Sequence, residues 1–377
     1  MKKSLFLSHK DLLSLGGGGN QICSREYRDA LIAAGFELEF VTHGTDQKAV
    51  TRLHRKLFPE RYPKLISGEF LLQVKEAYRK HRPDFVFCNF TNYLPLAAQL
   101  RAILPDQVIL VLLSHGLSSV DDVHRDRIAR EPFAKNHLRR LGPKIIGKSI
   151  LTEMKSLPVF DHVFCLAEFE VPICRWLGAR SVSWWPRTIP HGCELDWKPE
   201  GGRIGLVGTL DHPPNLEGVF LFCEALAKHK GTVPRLRLVT RSNAVAKDLR
   251  KRYEFVDDLG SLEDPGKMEA EAATWSAYIH PIFCLAMGCS TKLATGIAWG
   301  LPIISTEAGI RGYSWAEGNL LMAADANEMA SLAIKIQDRK TAEAAKTETM
   351  KVQSTAPTLT AVSQLFREKL LGPLNPK

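Results

Sequence analysis

Short apolar runs that alternate with amphipathic stretches, twice over, constrain this chain more than any other feature. In the first half, strand-like runs at Ser4–Ser8, Glu37–Thr42, Phe85–Asn89 and Val108–Leu113 are separated by helical periodicity at Ile22–Ala34, Glu69–Lys80 and Pro95–Leu104. Strands this short and this apolar belong to a parallel sheet covered on both faces. A basic, helix-rich interval over 119–157 leads to another strand, His162–Leu166, and a helix, Glu168–Leu177. The Pro- and Gly-rich segment TIPHGCELDWKPEGG then reads as a linker. Beyond it the pattern restarts, with strands at 203–207, 235–240, 254–256, 276–280 and 302–306 and helices at 215–228, 243–252, 264–274 and 291–299. The expectation is an α/β chain with Rossmann-like domains at 1–197 and 198–340. A helical tail over 341–377 would be free to pack back on the first domain.

Length supports two domains, because 377 residues exceed the ~250–300 at which one core usually stops growing. No apolar run is long enough for a membrane span. The opening MKKSLFLSHKDLL is too short and too soon interrupted by His9, Lys10 and Asp11 to be a signal peptide. Eight cysteines without a C-x-x-C pair, several inside apolar runs, suit buried reduced thiols and a cytoplasmic location. A net charge of +9 favours an anionic partner: nucleic acid, an acidic membrane face or a phosphorylated small molecule.

Open parallel sheets bind ligands beyond the carboxyl ends of their strands, so the loops there are the candidates. LGGGGNQ, residues 15–21, can admit a phosphate or a sugar through Gly18 and Gly19, or serve as a flexible turn. It is not the dinucleotide fingerprint, since the third glycine of a pattern begun at Gly16 and Gly18 would fall on Gln21, and the Walker pattern is absent. In LLSHGLSSVDD, His115 ends an apolar strand, where it can move a proton or bond a sugar hydroxyl, and Asp121 and Asp122 follow it. In VGTLDHPPNLEGV, Thr209 precedes a helix opened by Pro213-Pro214. In GCSTKLATGIAWGLP, Gly288, Ser290 and Thr291 lead into a helix whose first turn carries Lys292. A cation there is opposed by the helix dipole unless an anion covers the N-terminus.

Together these segments resemble the GT-B glycosyltransferases of the large retaining group 1. VGTLDHPPNLEGV resembles the family's strand, turn and Pro-Asn helix start. FVDDLGSLEDPGKMEAEAATWSAYIHPI resembles its glycine loop, acidic helix and following strand. GCSTKLATGIAWGLPIISTEAGIRGY resembles its phosphate-binding loop, helix and G-x-P strand, and IPHGCELDW its linker. The resemblance implies two Rossmann-like domains whose parallel sheets face a cleft, and a nucleotide-diphosphate sugar as donor substrate. It places Lys292 on the donor diphosphate. The family's usual glutamates are replaced by Thr295 and Met287, and a common arginine by Ser290. Ser-x-Lys-Leu before Gly-Leu-Pro, with Ser114-His115-Gly116-Leu117-Ser118, is similar instead to the inverting, membrane-associated glucuronosyltransferase of xanthan assembly. There His115 would occupy the base position; in group 1 a histidine of this loop contacts the donor sugar.

The implied site has His115 and Asp121 as catalytic candidates. Gly18, Gly19, Thr209, Arg241, Gly288, Ser290, Thr291, Lys292 and Thr295 would hold the donor. The scheme requires no cofactor and no metal. The acceptor would be a glycan or a lipid-linked precursor of a cell-surface polysaccharide. The basic stretch 132–157 can lie on an anionic membrane or form a solvated face. Nucleic acid is the least supported partner, because the basic residues are not interleaved with stacking aromatics. An inactive binding homologue and a nucleotide-sugar 2-epimerase are the rival readings.

Overall fold

The computed structural model describes residues 1–14, 18–44 and 68–372. Gly16 and Gly17 of the glycine loop therefore lie outside the described residues. Twelve strands are described: β1 Lys2–His9, β2 Phe36–His43, β3 Phe85–Asn89, β4 Ile109–Ser114, β5 His162–Cys165, β6 Val182–Trp184, β7 Arg203–Val207, β8 Arg235–Val239, β9 Val256–Asp258, β10 Tyr278–Ile279, β11 Ile303–Ser305 and β12 Leu321–Met322. The α-helices are α1 Gly19–Ala33, α2 Gly68–His81, α3 Ala97–Ile103, α4 Ser118–Ile128, α5 Pro143–Ser156, α6 Glu170–Trp176, α7 Pro213–Ala227, α8 Asn243–Arg252, α9 Pro265–Ala272, α10 Thr291–Ala298, α11 Glu307–Ile310, α12 Ala326–Lys335, α13 Arg339–Thr355 and α14 Leu359–Phe366.

The strands form two six-stranded sheets, ordered β2-β1-β3-β4-β5-β6 and β12-β11-β10-β7-β8-β9, and every described pairing is parallel. Each order reverses direction once. In the first sheet the reversal lies between β1 and β3, in the second between β7 and β10. At such a point the loops leave in opposite directions and open a crevice, which is where doubly wound sheets bind ligands. The central strands are apolar because both faces are covered: all five residues of β3 are buried.

The chain divides into two compact units, one comprising 1–119, 143–187 and 358–377, the other 120–142 and 188–357. This is not the single boundary at 197/198 expected from composition. Residues 120–142 pack with the second sheet, where Phe133 stacks on Phe220 at 5.1 Å and Ile128 and Ala134 join the core beneath α7. Of the expected tail, α13 belongs to the second unit and α14 to the first, where Phe366 packs on Phe164 and Trp185. The basic stretch 132–157 is thereby split: Lys135, Arg139 and Arg140 go to the second unit, Lys144, Lys148 and Lys155 to α5 of the first. All eight cysteines are free, and six are buried.

Candidate functional site

In the second unit the reversal between β7 and β10 gathers most of the residues singled out from the sequence. Apolar β7 carries Gly208 to the sheet's carboxyl edge, and Pro213 and Pro214 open α7 five residues on, their missing N–H groups falling where a helix has no internal use for them. A crevice there is lined by Val207, Gly208, Asn215, His280, Pro281 and Lys292. Gly288, at φ +59°, turns the loop into α10 through the left-handed region that favours glycine.

Lys292 lies in the first turn of α10, its ammonium so close to Gly208 that a Cβ there would sit 2.6 Å from Nζ. Lys292 is half-buried. Burial pulls its pKa down to about 8 against a weaker opposing pull from Asp211. No carboxylate among the described residues forms an ion pair with it. Ser290 stands at the N-cap position of α10 but does not cap it with its side chain: its hydroxyl is bound to His280 Nε2 at 2.8 Å, while Ser305 Oγ holds His280 Nδ1 at 3.0 Å. Tyr313 donates to the Ser290 carbonyl at 2.6 Å. Leu293 donates its N–H to the Ser290 carbonyl, while the Thr291 and Lys292 N–H groups that open α10 have no side-chain acceptor among the described residues. His280 stays neutral, its pKa lowered to about 3 by burial and then by Arg311 and Lys292.

Asp121 belongs to this unit, whereas His115 belongs to the other. Its two oxygens accept from His212 Nε2 at 3.0 Å and from the Met287 N–H at 2.9 Å. Burial alone would raise its pKa, but the His212 hydrogen bond and charge, the Met287 N–H and Arg311 hold it below the usual range. It ties the loop after β7 to the loop after β10. Asp121→Ala should cost about 1–3 kcal/mol, because two donors lose their acceptor; thermal unfolding checks this. The folded pKa is depressed, so the contribution is present above the unfolded value of 3.8 and fades as pH falls through the folded one.

The other donor candidates diverge. Thr209 is exposed, and its carbonyl accepts from Asn215 Nδ2 at 2.7 Å. Arg241 is exposed and turned toward Ser261 and Glu263. Thr295 is exposed, its hydroxyl 3.5 Å from the Thr291 carbonyl.

In the first unit, His115 follows β4 and is buried, its ring packed on Phe90 at 4.9 Å and Tyr27 at 5.6 Å. Asn89 donates to Ser8 Oγ and Ser24 Oγ, so its Oδ1 accepts from His115 Nε2 at 2.9 Å, and Nδ1 keeps a lone pair with no partner among the described residues. Burial, then Arg187, lowers the His115 pKa to about 3. The N-terminus of α4 beside it is filled from within: Leu117 and Ser119 donate backbone N–H groups to buried Glu170 and Glu153 at 2.8 and 3.0 Å. Two N–H groups there thus already have carboxylate acceptors, which α10 lacks among the described residues. Gly18 precedes α1 at an ordinary φ of −69°, its N–H bonded to Gln21 Oε1 at 2.9 Å, and Gly19 is the first helical residue.

Sequence reasoning missed His280, Ser305, Asn89 and Glu170. His280 and Asn89 carried the signal used for His115, a polar side chain ending an apolar strand. Glu170 had none, because its partner lies fifty-three positions away.

Residues 201–338 match the family model described as glycosyl transferases group 1. No curated protein matches the chain by sequence. Among solved structures it is similar to sucrose-phosphate synthase from Thermosynechococcus elongatus (TM-score 0.65, 17% identity, 98% of this chain and 100% of that one). It is also similar to TarM (0.63, 10%, 100% and 99%) and to Anabaena HepE in complex with UDP and glucose (0.60, 14%, 98% and 100%). The chain therefore has two parallel six-stranded α/β units of the GT-B type, and within its second unit residues 201–338 match the group 1 glycosyltransferase model.

Proposed function

We propose that this chain is a cytoplasmic glycosyltransferase that binds a nucleotide-diphosphate sugar at the β7/β10 reversal and passes the sugar to a glycan or lipid-linked acceptor in cell-surface polysaccharide synthesis. The observation that carries the reading is Lys292, a half-buried cation without a carboxylate partner among the described residues, beside a helix N-terminus with no side-chain cap. A diphosphate supplies the missing charge and accepts the Thr291 and Lys292 N–H groups. As the sugar departs, charge grows on that diphosphate, and a preorganised ammonium stabilises it most at that moment. Anabaena HepE with UDP-glucose, and S. aureus TarM with UDP, are structural precedents for such a ligand on this fold.

His115 serves in this scheme as a neutral, buried group held by Asn89, not as the base. Its partner is an amide, with no negative charge to stabilise an imidazolium, and a base of pKa about 3 removes few protons at neutral pH. The expected rate profile has no inflection near the ordinary histidine pKa of about 6.5 that His115→Gln removes. A step in kcat/KM there, lost in that variant, restores the base role implied by the xanthan enzyme.

Thermal shift against a panel of nucleotide-diphosphate sugars tests the donor site, since a ligand of the native state raises its stability. No binding at all refutes the enzyme. Exposed Thr295, where the family has glutamate, favours a second reading as a binding homologue without turnover. Donor binding with no product, with or without added acceptor, selects that reading, and a new sugar formed without acceptor selects a 2-epimerase.

A further inference from the structure

Helix α5 is built inside out. Its one acidic side chain, Glu153, is buried and accepts from Ser119, while Leu151 and Met154 stand 55% and 46% exposed. Around them Lys144, Lys148 and Lys155 are exposed, and none of the three forms an ion pair among the described residues. The segment after α5 brings Pro158 against Gly178, two positions beyond the end of α6. That end carries Trp176, 77% exposed, between exposed Arg175 and Arg180, again without ion pairs among the described residues. The acid of α6, Glu170, is also buried. The two helices and the turn after α6 thus expose three large apolar side chains and five cations that form no ion pair among the described residues, and both helix carboxylates turn inward.

The two glutamates are held inward by the backbone N–H groups of Ser119 and Leu117, but in water the fold gains nothing by leaving a tryptophan, a leucine and a methionine exposed among cations. We propose that the α5 face and the end of α6 form a docking surface for an anionic lipid bilayer, with Leu151, Met154 and Trp176 entering the interface. Lys144, Lys148, Lys155, Arg175 and Arg180 would meet headgroup phosphates. Tryptophan is the side chain most at home at that depth, and lysine stems lie along the apolar boundary while their ammonium groups stay wet. All five cations are free to exchange water for headgroups, because no protein carboxylate has to be released first. The surface deepens the functional reading by bringing the enzyme to a lipid-linked acceptor, and it uses no residue of the donor site.

Co-sedimentation of the full chain with phosphatidylcholine vesicles, with and without about one-third phosphatidylglycerol, tests the proposal. The wild-type chain should bind only the anionic vesicles. Lys144→Glu/Lys148→Glu/Lys155→Glu should weaken this about 100-fold or more, each surface cation contributing about fivefold. Leu151→Ser/Met154→Ser/Trp176→Ser should weaken it at least about tenfold. Lys247→Glu/Lys251→Glu/Lys267→Glu, an equal charge change on the second unit, should bind as wild type does. UDP binding and the thermal midpoint, read on every variant, should not change, which separates this proposal from the donor-site reading. Absence of wild-type binding to anionic vesicles overturns the proposal. So does an equal loss in the control triple, or retention of binding by the α5 variants. Oligonucleotide binding that the α5 charge reversal abolishes, without vesicle binding, assigns the face to nucleic acid instead.

Discussion

Replacing Lys292 by alanine should weaken binding of nucleotide-diphosphate sugars about 10- to 150-fold, while leaving the thermal midpoint unchanged or higher. A charge-assisted contact is worth about 1.5–3 kcal/mol, roughly 10- to 150-fold in affinity. Loss of a group acting on developing charge adds about 100-fold or more in turnover. The stability expectation has the opposite sign because Lys292 is a burden on the empty protein. Its folded pKa of about 8 lies below the unfolded value, so between the two the unfolded chain holds more protons, and stability rises with pH there. Removing the lysine removes that penalty. Binding a diphosphate raises the pKa again, so near pH 8 the complex should take up a proton. Calorimetry in two buffers of different ionisation enthalpy reads that uptake directly. A Lys292→Ala variant with wild-type affinity would remove the basis for placing the donor at this loop.

Local signals account for the parts of the fold that were legible in advance. Helix α8 begins and ends where its periodicity does, at Asn243 and Arg252, and α7 starts at Pro213, within two positions of expectation. Strand β7 spans 203–207 as read. Each is specified by its own residues: an apolar period, a proline whose lost N–H costs nothing, a polar boundary. Short β6 and β12, two or three residues long, carry too little pattern to rise above the loops around them. The crossing of 120–142 to the second unit is invisible for a different reason. Phe133 finds Phe220 and Arg127 finds Glu217 at 2.6 Å over separations near ninety residues, and neither side advertises its partner.

The site divides along the same line. Lys292 was legible because its oddity is local, a cation in a first turn without a neighbouring acid. Asp121 looked like a candidate acid in a loop that follows a strand, yet its oxygens are committed to His212 and Met287, a commitment set entirely by tertiary contact. Ser290 sits at the N-cap position, yet for a similar reason its hydroxyl bonds His280 and not the helix backbone. The outcome leaves the N-terminus of α10 without a side-chain cap, a mild loss to the empty protein that a bound anion reverses.

Gly218→Ala should be the most destabilising single methyl in the second unit. A Cβ on Gly218 would lie 1.5 Å from the Pro281 carbonyl oxygen and 2.7 Å from its carbon. These are backbone atoms, so no rotamer change relieves the clash, and either α7 or the end of β10 must move. Overpacking of well-filled sites costs about 1–3 kcal/mol, and displacing backbone puts this case at about 3 or above. For a unit of this size that is a fall of roughly 6–12 °C in thermal midpoint. Displacement has a second consequence, because Pro281 directly follows His280, which holds Ser290 at the start of α10. The same methyl should therefore weaken donor affinity even in the fraction of molecules that stays folded. Isothermal titration well below the lowered midpoint separates the two effects. A Gly218→Ala variant that melts as wild type would mean that α7 and β10 do not approach so closely. One that is destabilised yet binds the donor normally would show that the loop from Pro281 to Ser290 positions Lys292 independently of the packing beneath it.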